Sequence, residues 1–268
     1  MENDFRISQS PHLKNTVYSF WQTKRRTDFK TEIIIPKGIV EVIFNFSEQD
    51  TIQAKFDNSQ YRLPKCFING VNTRPVQLQL PVNQFFFGIR FHPTAIKDIF
   101  KVPAGEFANH SEDLTLIDPS VHSLWHQLIE YPAFDEKILL VTKWLVNRIN
   151  KSTYQDTLLN HFLSDSEKET PSVTELSKIV CYSPRQLSRK LNELTGLNTE
   201  EVLLYKKYLH SLNLIQHTNL SLTEIAYSCR FSDQSHFIKT FKSLAAMTPG
   251  EYRKSKGAIP GHIYKDVR

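Results

Sequence analysis

One stretch of the chain is written twice. Ser172-Val-Thr-Glu-Leu-Ser177 aligns with Ser221-Leu-Thr-Glu-Ile-Ala226 at an offset of 49 residues, and Tyr182-Ser183 then falls on Phe231-Ser232. With one residue inserted in the second copy the offset becomes 50. Leu187, Arg189, Leu191, Leu194 and Gly196 then meet Phe237, Lys239, Phe241, Leu244 and Ala246. A repeat of this length is one supersecondary unit used more than once, and two copies are too few for a solenoid. Each copy opens with Ser-x-x-Glu, the spacing at which a Ser oxygen and a Glu side chain satisfy two orphan N–H groups of a helix start. Each then starts a second helix almost at once. Ser183-Pro184-Arg185-Gln186 puts Ser at the N-cap, Pro at the first helical position and Gln at the third, and Ser232 is expected to cap the second copy. Short helix, tight turn, second helix is helix-turn-helix grammar. An ordinary bundle shares such helix starts but seldom repeats caps and apolar positions in register.

The charge sits on this unit. The chain of 268 residues carries a formal net charge of +5. Residues 170–256 hold 12 Lys/Arg against 7 Asp/Glu, whereas residues 1–169 hold 19 against 20. A localised basic excess is the electrostatic footprint of a polyanionic partner. A Lys-rich solvated face would look the same by charge alone, so the weight comes from its falling on the duplicated unit.

Before the repeat the pattern is different. Short β-branched and aromatic runs at 16–22, 31–35, 39–46, 51–56, 66–68, 76–80 and 84–91 are separated by turn residues such as Pro36-Lys37-Gly38 and Asn69-Gly70. They predict a small β-barrel or sandwich. Thr94–Phe100 reads as a short helix and 107–119 as loop. Val121, Leu124, Trp125, Leu128 and Ile129 trace one helix face, Phe134, Ile138, Val141, Leu145 and Ile149 a second, and 153–163 a third. The polar stretch 164–171 is the expected linker. A long helix from Asn198 or Thr199 to about Ile215 joins the two modules, and a last one starts at Thr248-Pro-Gly-Glu251; the tail beyond Lys256 is expected to fray. The fold class is therefore α+β: an N-terminal β-barrel or sandwich with following helices, residues 1–165, and an all-α region of two helix-turn-helix modules joined by a long helix, residues 166–268.

In module one Leu187, Leu191 and Leu194 must face inward, which leaves Arg185, Ser188, Arg189 and Asn192 outward with Gln186 beside them. In module two Phe237, Phe241 and Leu244 face inward, leaving Gln234, Ser235, Ile238, Lys239 and Lys242 outward, with His236 next to them. A helix in the major groove uses Arg for guanine, Gln or Asn for adenine, and small or apolar groups for the thymine methyl. Polar residues cover any helix surface; two equivalent faces within one basic unit favour double-stranded DNA.

Several spaced positions together resemble the AraC/XylS-type transcription regulators: Leu220-Ser-Leu-Thr-Glu-Ile-Ala226, Phe231-Ser-Asp-Gln-Ser-His-Phe237, Lys239-Thr-Phe-Lys242 and Thr248-Pro-x-x-Tyr252-Arg253, with Ser183-x-Arg185-x-Leu187-x-Arg189 and Gly196 upstream. The resemblance covers residues 170–256. It implies that the two second helices enter adjacent major grooves, and that Arg185, Ser188, Arg189, Gln234, Ile238 and Lys239 stand where the family reads bases or phosphates. Cys181, Arg230 and Ala246 depart from it, standing where the family has Gly, and Arg230 is expected in a left-handed turn. Ile35-Pro36-x-Gly38-x-x-Glu41-Val-Ile-Phe-Asn45, Asn69-Gly70 and Phe87-Gly-Ile-Arg-Phe-x-Pro93-x-Ala95 look like the sensor half of a subgroup of these regulators. That implies a small-molecule or protein effector at the N-terminal domain, with RNA polymerase and a second copy of the chain as candidate partners and activation as the candidate outcome.

Other chemistries find less support. His122 and His126 stand i, i+4 with no third metal ligand nearby, Cys66 lacks a CxxC neighbour, and Arg90 pairs as readily with Glu41 as with an anionic ligand. No nucleophile–base constellation, phosphate loop or paired-carboxylate motif is visible, so the chain is read as a non-enzyme with no cofactor. No window approaches the ~18 apolar residues of a membrane span. No leader is visible, and three scattered cysteines suit a reducing cytoplasm. Two rivals remain: a metal-dependent β-barrel enzyme with a DNA-binding appendage, and an architectural protein that binds DNA without sequence choice.

Overall fold

The computed structural model describes the chain except residues 1, 9, 11, 28–30, 48–51, 58, 166–169 and 266–268. Half of the expected 164–171 linker, residues 166–169, thus lies outside the described residues. The N-terminal half is a sandwich of two antiparallel sheets. The first has the order β1(Glu2–Ile7), β2(Val17–Arg26), β9(Asn83–Phe91), β4(Val40–Asn45), β7(Cys66–Asn69), β10(Ser111–Asp113). The second has the order β11(His262–Lys265), β3(Thr31–Ile34), β8(Val76–Gln79), β5(Gln53–Phe56), β6(Ser59–Arg62).

Strand alternation gives the first sheet two distinct faces. Val40, Val42 and Phe44 of β4 and Phe87, Ile89 and Phe91 of β9 join the large core with the helices α1(Pro93–Phe100), α3(Ser120–Glu130) and α4(Phe134–Val146). Ile43 and Phe86 point the other way and pack between the sheets with Ala54, Phe56, Phe67, Val76 and Leu78. Glu41 and Arg90 also lie on this inner side, lining a cavity. Arg90 Nε donates to Glu41 Oε1 at 3.0 Å, the pairing that its place on a strand allowed.

The expected loop 107–119 is instead a short structured run. A 3-10 turn at Ala104–Phe107 is followed by β10 and by α2(Leu114–Ile117), because Asp113 caps α2 by accepting from Thr115 N–H at 2.9 Å. Helix α5(Tyr154–Ser164) has the expected bounds within one residue and is capped by Thr153. The tail is not frayed over 262–265. It forms β11, antiparallel to β3 in the register His262–Ile34 to Lys265–Thr31.

The C-terminal region is helical: α6(Val173–Val180), α7(Pro184–Thr195), α8(Thr199–His217), α9(Leu222–Ser228), α10(Gln234–Ala245) and α11(Pro249–Ser255). Module one packs Leu176, Val180, Leu187, Leu191 and Leu194 against Val202 and Leu203 of α8 and Leu159 of α5. Module two buries Ile225, Phe231, Phe237, Phe241 and Tyr252 against Tyr208, Leu212 and Ile215 of α8, in one core with the N-terminal helices. Among the described residues no helix is long and apolar enough to cross a membrane.

Candidate nucleic-acid interface

The two modules are built by the same local chemistry. Ser172 and Ser221 cap α6 and α9, each closing a capping box with a Glu three residues on. Both first helices end in a Schellman motif. Tyr182 N–H bonds Ser177 O and Cys181 N–H bonds Lys178 O in module one; Phe231 N–H bonds Ala226 O and Arg230 N–H bonds Tyr227 O in module two. The left-handed residues are therefore Cys181 (φ 55°) and Arg230 (φ 56°), the second as expected. The second helices end alike, on Gly196 (φ 75°) and Ala246 (φ 55°).

One expectation fails at the start of α10. Its N-cap is Asp233, whose carboxylate accepts from His236 N–H at 2.8 Å; Ser232 is the inserted residue. Asp233 wins the position because an ionised acceptor faces the positive end of the helix. Ser232 Oγ instead bonds the Asp233 carboxylate and His236 Nδ1.

Arg185, Gln186, Arg189 and Asn192 on α7, and Gln234, Ser235, Lys239 and Lys242 on α10, are exposed. Arg185, Arg189, Lys239 and Lys242 enter no hydrogen bond or ion pair among the described residues. The other side chains are more committed. Gln186 Oε1 closes the box to Ser183 N at 2.9 Å, and Gln234 Oε1 accepts from Thr223 Oγ1 at 2.9 Å. His236 is half-buried with its ring edge-on to Phe231 at 5.4 Å. Ser188 is half-buried, and Ile238 is half-buried against the core. Asn192 lies at the far end of α7, where the 3-10 turn of the N-terminal half approaches: a Cβ on Gly105 would stand 2.4 Å from Asn192 O. Lys97 of α1 pairs with Glu193 beside it at 2.8 Å. Each face thus offers two unpaired cations with polar side chains beside them.

A second feature was not legible in the sequence. Between the sheets lies a cavity of about 360 Å³. Its walls are apolar over Trp21, Ile34, Ile43, Phe67, Leu78 and Phe86, and one end gathers Glu32, Lys37, Glu41, Arg90 and His262. Burial raises the Glu41 carboxyl, but the charges of Arg90 and Lys37 and the hydrogen bonds from Arg90 and Trp21 more than offset it, leaving it below the usual carboxylate range. Burial pulls the Lys37 ammonium below the usual lysine range, with Glu41 opposing. Gln22 Oε1 and Asn72 Oδ1, both on residues of the wall, are buried without a hydrogen-bond partner among the described residues. Among the described residues no group of three or more His, Cys, Asp or Glu side chains could hold a metal; His122 and His126 stack edge-on at 4.6 Å.

Two separate stretches of the chain match known family models. Residues 176–255 match a helix-turn-helix domain model, and residues 6–113 match a domain of unknown function, DUF6597. The HTH-type transcriptional activator RhaS of Enterobacter sp. (strain 638) is 30% identical over 121 residues, covering 45% of this chain and 44% of that protein. The HTH-type transcriptional regulator GlxA of Rhizobium meliloti (strain 1021) is 34% identical over 85 residues, covering 32% and 26%. The chain thus spans about half or less of the length of these curated relatives. The solved structure of ToxT from Vibrio cholerae O395 aligns over 90% of this chain and 99% of its own at 15% identity, with a TM-score of 0.49.

Proposed function

We propose that this chain, whose C-terminal region is of the AraC/XylS helix-turn-helix type, is a sequence-specific regulator of transcription that reads double-stranded DNA through α7 and α10. The observation that carries the reading is the pair of exposed basic faces on the second helices of the two modules. Arg185 and Arg189 on one, and Lys239 and Lys242 on the other, are exposed cations, and the carboxylates of Glu193 and Glu251 feel Arg189 and Lys242 only through their charge. Their charge supplies phosphate affinity, while Arg side chains and the amides of Asn192 and Gln234 supply base contacts. Gln186, Ser188, Ser235, His236 and Ile238 complete the faces, as helix-start and packing residues that shape the contact. Two such helices fit boxes about one DNA turn, ~34 Å, apart.

Residues 166–268 form the DNA-reading part in this proposal, and residues 1–165 the sensing part. The cavity is the effector site, suited to a small molecule with an apolar body and a polar end that both accepts from Lys37 and donates to acceptors such as Gln22 Oε1. A second copy of the chain and RNA polymerase are the proposed protein partners, with activation the proposed outcome and the cytoplasm the proposed location.

The test is selection from a random DNA pool with the full-length chain. The expected product is a site with two boxes, and Arg189→Ala should weaken binding to it by about 1–3 kcal/mol while relaxing sequence choice in one box only. Recovery of no consensus would favour an architectural protein. An unchanged footprint and affinity with Arg189→Ala would remove α7 from the interface.

A further inference from the structure

The last strand ties module two to the wall of the cavity. Where α11 ends, Lys256 Nζ donates to the carbonyls of Ile215 and Gln216 at the end of α8, at 2.7 and 2.9 Å, and Gln216 Nε2 donates to Gly257 O at 3.0 Å. The Tyr252 hydroxyl donates to Gln216 Oε1 and accepts from Gly261 N–H at 3.0 Å. Gly261, at φ 78°, turns the chain where a Cβ would meet Lys37 Cγ at 2.8 Å. Gly261 O then accepts from Ile35 N–H at 2.9 Å, and β11 continues along β3. One end of this segment is fixed to the module two helices, and the other is an edge strand of the sensor sandwich.

Two of its residues, Ile259 and His262, are part of the cavity wall. His262 Nδ1 lies 2.6 Å from Glu32 Oε1, and its Nε2 lies 2.8 Å from Lys37 Nζ. An ammonium only donates, so Nε2 is the acceptor and Nδ1 carries the proton given to Glu32. The neighbouring Pro36–Gly38 turn is held from α8: Tyr208 donates to Pro36 O at 3.2 Å, and Tyr205 accepts from Gly38 N–H at 2.9 Å while donating to Asn72 O at 2.8 Å. Pro36, Lys37, Gly38 and Asn72 also line the cavity. A molecule filling the cavity therefore touches the residues whose other contacts are α8 and β11.

We propose that residues 257–265 are an intramolecular strap that holds the second helix-turn-helix module to the cavity wall, and that release of β11 from β3 is the step by which the cavity alters DNA binding. The proposal rests on the reading of the modules as DNA-binding and of the cavity as an effector site. An occupant whose polar end takes Lys37 or Glu32 removes one of the two bonds of His262, and one whose body displaces Ile259 pushes on the strap itself. β11 pairs with a single neighbour over four residues, so its opening belongs to the low-cost end of local unfolding. Once it opens, module two is held through α8 and its own packing, and α10 is free to shift against α7.

The experiment uses the full-length Ile263→Asp variant, because Ile263 is only 4% exposed and a carboxylate there expels the strand. Amide exchange at 31–35 and 262–265, far-ultraviolet circular dichroism, and affinity for DNA selected by the unaltered chain are read together. Expected are loss of protection in β11 and at the amides of 31–35 that bond to the strap, unchanged helical signal, and a change in DNA affinity of at least about fivefold, whereas affinity within about twofold with the strand released overturns the strap. If Ile263→Asp does not fold, His262→Ala carries the same readouts. Persistent protection of β11 in that variant, or its loss without effect on DNA, overturns the strap. Failure of the unaltered chain to select any DNA is a different result: it overturns the regulator reading, and the strap with it.

Discussion

Among the described residues of the C-terminal helical region, three hold a left-handed backbone without being glycine: Cys181, Arg230 and Ala246. An L residue there sets its Cβ against the following carbonyl, at a cost of roughly 1–2 kcal/mol. The carbonyls at the helix end must still be satisfied, so the conformation persists. Ala246 is the plainest case, since its methyl is exposed and its N–H closes α10 onto Lys242 O at 3.0 Å. Ala246→Gly relieves the clash but gives the unfolded chain more freedom, about 0.4–1 kcal/mol. The balance predicts stabilisation of about 0.5–1 kcal/mol, with the denaturant midpoint raised and the m-value unchanged. A midpoint equal to or below that of the unaltered chain would count against strain at this position. At the same scale the candidate DNA contacts were half legible. Spacing identified the outward side chains, but it could not show that Gln186 and His236 are already engaged by the helix start or that Ile238 packs on the core.

At the level of elements, caps were the most readable signal because each is closed within three or four residues. That is why α6, α7, α8, α9 and α11 start where Ser172, Ser183, Asn198, Ser221 and Thr248 place them. Asp233 displaced Ser232 because both residues are good caps and only the fold shows which one is inserted. Strands β1, β6, β10 and β11 were missed for a different reason. They are edge strands or short pieces whose partners are set by tertiary contact, β11 meeting β3 from the far end of the chain. The cavity is invisible for the same reason: His262 and Lys37 become neighbours only through that pairing. Helix α8 carries a testable element of its own. Lys206 is buried on it, with Nζ donating to the carbonyls of Leu163 and Asp165, and burial, opposed by the charge of Asp165, brings its ammonium down to about 8. The folded chain therefore holds this proton less tightly than the unfolded one. Between about pH 8 and the ordinary lysine value of 10.5, the unfolded chain binds more protons, so this group adds stability as pH rises through that window, and the cost of burying its charge is felt in full below it. The difference in unfolding free energy between the unaltered chain and Lys206→Met, measured from pH 7.5 to 9.5, should shift toward the unaltered chain by the order of 1–2 kcal/mol. A difference that stays flat would mean that Lys206 keeps an ordinary affinity for its proton.

Over the whole molecule the N-terminal half grips each helix-turn-helix module at a separate place. Module two is reached through α8 and the last strand, and module one through α5, whose Leu159 enters its core, and through the 3-10 turn that lies on the end of α7. The grip at the turn depends on backbone approaching backbone: a Cβ at Gly105 would lie 2.4 Å from Asn192 O, 2.8 Å from Gly196 N and 3.0 Å from Glu193 O. No side chain can rotate to relieve those contacts, so Gly105→Ala must move the turn away from α7 as a unit. The Lys97–Glu193 pair sits beside the same contact but is largely exposed on the lysine side, so it is worth too little to hold the turn in place. The variant should therefore lose roughly 1–3 kcal/mol of stability, the usual range for a steric intrusion into a packed contact. Faster amide exchange should appear at 104–108 and over the last turn of α7, while β11 and β3 stay protected, because the grip on module two does not pass through Gly105. Exchange that rises equally in both places would mean that the two grips act as one, and that the modules cannot be repositioned independently.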